Sequence, residues 1–158
     1  MVILGIDPGV ASTGYGVIQE GRGGGLLLLD YGVITTSSKA LHEKRLKDIF
    51  EGIEGIIRSA GPDRVSVETV FYSKNLKSLV QVSEAIGVVS LAVSRHGLEL
   101  TRFTPLEVKR TIVGNGKATK DQIQLMVSKI LNLDDPPKPD HASDAIAVAL
   151  CCAFMTGK

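Results

Sequence analysis

Three places in this 158-residue chain put ionisable side chains where an element begins or ends. Val2-Ile3-Leu4-Gly5-Ile6 runs into Asp7 and turns at Pro8-Gly9, Val65-Ser66-Val67 runs into Glu68, and Asp140-His141-Ala142-Ser143-Asp144 opens an apolar stretch. A carboxylate closing an apolar strand needs a cation, a hydrogen-bond cradle or a catalytic task, because ions are rarely buried without a partner. Each acid also has a plain structural reading. Asp7 suits the Asp-Pro-Gly turn it begins, Glu68 suits a salt bridge, and Asp140, following Pro139, suits the N-cap of a helix. Asp140 and His141 lie four and three residues before Asp144, so the three share a helical face. Brought together, such groups would repel unless cations sat between them, and Mg²⁺ is the natural occupant of an oxygen-rich cluster. Two cations about 4 Å apart would clamp the attacking and leaving oxygens of an in-line phosphoryl displacement.

The elements that must position these groups are legible from hydrophobic spacing. Strands are predicted at Val2–Ile6, Gly14–Gln19 and Leu26–Thr36, the last two joined by Gly21-Arg22-Gly23-Gly24-Gly25, which makes an antiparallel meander. Apolar positions at Leu46, Ile49, Phe50, Ile53, Ile56 and Ile57 predict a helix over Leu41–Ala60, stopped by Gly61-Pro62. A fourth strand, Val65–Glu68, precedes a helix over Lys74–Arg95, whose half from Ala85 to Val93 is apolar nearly all round. Such a helix is buried in the fold, against a partner subunit, or both. Leu98–Phe103 is predicted as a fifth strand, parallel to the fourth because a helix crosses between them. Helices over Pro105–Val113 and Lys117–Leu131 follow. A proline-rich connection then leads to a last helix carrying Ile146, Val148, Leu150 and Phe154 inward. Gly116-Lys117 with Thr119 is no phosphate loop: Thr111 stands where its first glycine belongs, and no strand leads in.

The whole, residues 1–158, reads as a single α/β domain with one five-stranded mixed sheet flanked by helices. Its 44% apolar and 22% charged residues fit a compact globular chain. Cys151 and Cys152 are sequence neighbours, a geometry that disfavours a disulfide between them, and free thiols fit a reducing cytoplasm. No signal-peptide pattern precedes Asp7, and the apolar run Ala145–Met155 is too short for a bilayer, so a cytoplasmic protein with no membrane partner is expected.

Net charge is only +1, but it is unevenly spread. Residues 71–120 hold eight basic side chains against three acids, and the remainder ten against fourteen. A positive middle third in a near-neutral protein is the pattern of a phosphate-binding face. Its Lys74, Lys77, Lys109, Arg110, Lys117 and Lys120 are the candidate phosphate contacts. Phe71 joins them if it leaves the core to face bases.

Taken together, Gly5-Ile6-Asp7-Pro8-Gly9 with Thr13-Gly14-Tyr15-Gly16, Val67-Glu68-Thr69-Val70-Phe71, Lys109-Arg110-Thr111-Ile112-Val113-Gly114 and His141-Ala142-Ser143-Asp144-Ala145 resemble the RuvC family of Holliday junction resolvases. The order and spacing match over almost the whole chain. The resemblance implies a ribonuclease H-like fold and a homodimer that resolves four-way DNA junctions by paired symmetric nicking, in recombination and repair. It implies Mg²⁺, two per subunit with Mn²⁺ as a substitute, and RuvA and RuvB as branch-migration partners. By the same resemblance Asp7, Glu68 and Asp144 match the family's metal-binding acids. Lys109 and Lys120 match basic residues near the scissile phosphate, and Phe71 an aromatic beside the junction bases. His141 stands where many members carry a fourth Asp, which leaves His141 or Asp140 to complete the catalytic and metal set.

Other readings have their own discriminants. Another ribonuclease H-like resolvase family would share the chemistry and differ in partners. An actin-like ATPase also opens on Gly-Ile-Asp-x-Gly but closes two such domains over its nucleotide, and this length supplies one. A catalytically dead junction binder would not need three matching acids.

Overall fold

The computed structural model describes residues 1–69 and 75–156. Three strands, β1 (Val2–Asp7), β2 (Ser12–Glu20) and β3 (Leu26–Thr35), form the expected meander. They are followed by α1 (His42–Ala60), β4 (Arg64–Glu68), α2 (Leu76–Arg95), β5 (Leu100–Phe103), α3 (Pro105–Val113), α4 (Lys120–Leu131) and α5 (Asp140–Thr156). The sheet order is β3-β2-β1-β4-β5, with β1–β2 and β2–β3 antiparallel and β1–β4 and β4–β5 parallel. Since Ile6 pairs with Val67, Asp7 and Glu68 finish side by side at the carboxyl end of the two central strands.

Alternation along the strands feeds two cores, one on each face. Leu4, Ile6, Val17, Val65 and Val67 meet Ile49, Ile53 and Ile57 of α1 and Val89, Ala92 and Val93 of α2. Ile3, Ile18 and Phe103 meet Val108 and Ile112 of α3, Val127 of α4 and Ile146 and Leu150 of α5. By length and composition α2 could cross a bilayer. Here one of its faces is a core face, with Ala85, Val89, Ala92 and Val93 buried, while Leu76, Val80 and Leu91 are exposed on the rest.

Several expected boundaries move, each for a local reason. β5 starts at Leu100 rather than Leu98, because the Leu98 N–H donates back to the Val93 carbonyl and closes α2 with Gly97 at φ 68°. α4 starts at Lys120 rather than Lys117: Thr119 and Gln122 form a reciprocal capping box, and the Lys117 N–H is drawn to Asn115 Oδ1 instead. α2 starts at Leu76, capped by the Asn75 side chain accepting from Ser78 N–H, so Lys74 precedes it and lies outside the described residues.

Two assignments on α5 are corrected outright. Asp140 is the first helical residue and not the N-cap, since the Pro139 carbonyl receives the Ala142 and Ser143 amides and the Asp140 side chain turns to α4. Phe154 does not point inward; it is 42% exposed. α5 runs antiparallel to β1, and Ala149 lies over Gly5. Five further helical residues cover about two strand residues, which brings Phe154 level with the start of β1, in the last turn of α5, where the sheet gives the helix least cover.

Candidate active site

The carboxyl ends of β1 and β4 and the first turn of α5 meet at one end of the sheet, and two glycines explain how closely. A Cβ on Gly14 of β2 would collide with the His141 carbonyl, and one on Gly5 of β1 with the Ala145 carbonyl. Without those side chains α5 lies with its backbone against the sheet. Its His141 and Asp144 therefore fall beside Asp7 rather than a side chain's thickness away. The turn after Asp7 is locked as well. The buried Thr13 hydroxyl donates to the Gly9 carbonyl at 2.7 Å, holding Pro8-Gly9 while the chain reverses into β2.

One ligand atom from each of Asp7, His141 and Asp144 lies within 4.8 Å of the others. His141 Nδ1 is 2.7 Å from Asp7 Oδ2. Glu68, on the adjoining strand, is coupled to the cluster by charge. Its carboxyl is pushed up to about 7, first by burial and then by repulsion from Asp7 and Asp144, with Lys109 and Lys120 pulling the other way. Burial likewise raises Asp7, against the His141 hydrogen bond and the Lys120 charge. Acids forced towards protonation in the bare protein are a site short of positive charge. The donor set, carboxylate oxygens and one imidazole nitrogen, suits a divalent cation such as Mg²⁺ or Mn²⁺.

Asp140 does not turn into this cluster. Its carboxylate accepts from Gln124 Nε2 at 3.1 Å and pairs with Lys120 Nζ at 3.3 Å. The same ammonium lies 2.9 Å from Asp144 Oδ2. Lys120 and Lys109 are thus the two basic candidates brought to the acids. Arg110 and Lys117 stand exposed in the last turn of α3 and in the α3–α4 connection. Lys77 lies in the first turn of α2, lining a groove of about 480 Å³ with His42, Arg45, Gln81 and Glu84. Phe71 and Lys74 lie outside the described residues. Sequence reasoning missed the glycines that admit α5 and the link from Gln124 and Lys120 to Asp140. The first left a signal, since Gly5, Gly14 and Gly16 interrupt otherwise β-prone strands.

A family model described as "Crossover junction endodeoxyribonuclease RuvC" matches residues 3–152. Proteins carrying that same name are 45% identical over 151 residues in Natranaerobius thermophilus and 46% identical over 153 residues in Alkaliphilus oremlandii. These alignments cover 96% and 97% of this chain and 93% of each relative. Among solved structures, T. thermophilus RuvC in complex with a Holliday junction substrate superposes with a TM-score of 0.93 at 33% identity, covering 98% of this chain and 94% of that one. The yeast mitochondrial Holliday junction resolvase Ydc2, at 10% identity and a TM-score of 0.67 over 96% of this chain and 78% of that one, shares the fold. The fold is therefore the ribonuclease H-like one that the sequence implied.

Proposed function

The chain belongs to the RuvC family of crossover junction endodeoxyribonucleases and is a Holliday junction resolvase; from that premise we propose that Asp7, Glu68, His141 and Asp144 form its cation-dependent cleavage centre. Nucleases of this family use divalent metal ions. The observation that carries the assignment is the convergence of Asp7, His141 and Asp144 beside a Glu68 held near pKa 7. Asp7, Glu68, His141 and Asp144 would hold a divalent cation there, whose chemistry would be to polarise a phosphodiester and lower the pKa of an attacking water. We take the cations to be two Mg²⁺ per subunit, with Mn²⁺ as a substitute that the imidazole of His141 would favour.

The chain's own groups divide the remaining work. Glu68 and Asp7 supply negative charge at the ends of two rigid strands, so their separation is set by the β1–β4 register. When the Nδ1–H of His141 is donated to Asp7, Nε2 is left as the ring's basic atom, on a side chain 51% exposed to incoming water or substrate. Lys109 and Lys120 offer ammonium groups to the phosphate oxygens, and Lys77, Arg110 and Lys117 extend DNA contacts away from the centre, with Phe71 and Lys74 kept as DNA contacts on the sequence alone.

Two like-polarity nicks call for two centres related by a two-fold axis, so the working form is a homodimer. The exposed apolar side chains Leu76, Val80 and Leu91 along α2 support that reading, because packing that face against a second copy would remove them from water. The family resemblance supports a place in recombination and repair, beside RuvA and RuvB, in the cytoplasm.

The test separates cutting from binding. Asp7→Asn and Glu68→Gln should each lower nicking of a four-way junction in Mg²⁺ by about 10³-fold, while affinity for the junction in EDTA changes less than about threefold, because phosphate contacts from the basic third do most of the binding. Variants that cut at the wild-type rate would remove these residues from the centre.

A further inference from the structure

The carboxylate of Asp140 has no place in the cluster formed by Asp7, His141 and Asp144, yet it is held by two donors from one face of α4. Lys120 and Gln124 are four residues apart on that helix, and so neighbours on its surface. The Gln124 amide and the Lys120 ammonium both reach Asp140. The ammonium also touches Asp144 Oδ2 at 2.9 Å, so it bridges one acid inside the cluster and one outside it.

The asymmetry has a consequence once positive charge enters the site. A cation held by Asp7, His141 and Asp144 would compete with the Lys120 ammonium for Asp144 and repel it. With Asp144 as its only partner, a four-carbon side chain that is 46% exposed would swing into solvent. Asp140 offers a second carboxylate outside the cluster, and Gln124 fixes where that carboxylate sits. Ion pairs as open to solvent as this one add little to stability, so support of the fold is a poor explanation for the arrangement.

We propose that Asp140, oriented by Gln124, is a positioning residue that keeps Lys120 at the mouth of the cleavage centre when Asp144 turns to the cation, so that the ammonium stays aimed at the scissile phosphate. This rests on the assignment of the cation site made above. It also separates Asp140 from the ligands: the residue next to His141 acts on the lysine and not on the metal.

The experiment uses the full chain with Asp140→Asn, Asp140→Glu, Lys120→Ala and the double variant Asp140→Asn/Lys120→Ala. Each is measured for single-turnover junction cleavage in Mg²⁺, for junction binding in EDTA, and for Mn²⁺ binding by electron paramagnetic resonance. Asp140→Asn is expected to slow cleavage about tenfold, with Mn²⁺ and junction affinities within threefold of wild type, and Asp140→Glu to recover most of the rate. In the Lys120→Ala background, adding Asp140→Asn should cost nothing further. A tenfold further loss in that background would overturn the proposal, because Asp140 would then act without the lysine. Mn²⁺ binding weakened tenfold by Asp140→Asn in that same background would overturn it by making Asp140 a ligand. Cleavage by Asp140→Asn at the wild-type rate would also overturn it. Asp7→Asn is the control for the site itself: unchanged Mn²⁺ affinity there overturns both assignments, whereas a failure confined to the Asp140 variants overturns this one alone.

Discussion

Burial beside two other carboxylates leaves Glu68 about half protonated near neutral pH in the metal-free protein. Its ordinary value of 4.5 applies in the unfolded chain, so between pH 4.5 and 7 the folded state binds the extra proton, and stability falls as pH rises through that window. A shift of this size corresponds to about 3 kcal/mol at most. Allowing for the solvent that reaches the site, roughly 2 kcal/mol is the working figure. Glu68→Gln should therefore stabilise the metal-free protein by about 2 kcal/mol at pH 8, a Tm gain of about 6 °C for a chain of this length, and by almost nothing at pH 4.5. Thermal melts in EDTA at the two pH values check this; an equal gain at both would mean that the charge of Glu68 is not the source. At this scale the sequence was partly legible. Acids ending apolar strands announce themselves, because burial makes their charge expensive. Asp140 was misread because the helix-cap rule is local to Pro139-Asp140, while its partners Lys120 and Gln124 lie on another helix.

α5 is the element on which the site depends, since it brings His141 and Asp144 across to Asp7. Its approach is set by what β1 and β2 lack. Gly14→Ala would drive a methyl into the His141 carbonyl, which belongs to backbone and has little room to yield. The expected cost is about 3 kcal/mol of stability, with Mn²⁺ binding weakened at least about tenfold because the first turn of α5 must lift. Chemical denaturation and a Mn²⁺ titration check the two parts; a variant that loses neither would show that the close approach is not needed. The sheet order could be read ahead of the structure because chain reversals and helical crossovers leave a distinct spacing. The separation between helix and sheet could not, because it depends on glycines facing a helix more than a hundred residues away. Element ends were likewise set by side-chain caps at Asn75 and Thr119, which hydrophobic periodicity does not register.

The whole molecule presents the proposed cleavage centre at the carboxyl ends of β1 and β4 and exposed apolar side chains along α2, so two copies joined through α2 would carry two centres on one assembly. Leu91, 57% exposed on a helix whose other face is core, is the position to test. Leu91→Asp should convert a sedimenting dimer to a monomer without unfolding it, since an exposed site tolerates the charge in the monomer but not in a buried interface. Wild-type protein that sediments as a monomer both free and on a junction would contradict the dimer. We propose that this chain resolves four-way junctions through a divalent-cation centre built on Asp7, Glu68, His141 and Asp144. The most direct test of this proposal maps the cuts made by the wild-type protein on a synthetic four-way junction and on a linear duplex of the same sequence, with Mg²⁺ and with EDTA. Paired, symmetric nicks are expected in two strands of like polarity, on the junction alone and only with the cation. Equal cutting of the linear duplex, or cutting that persists in EDTA, would contradict it.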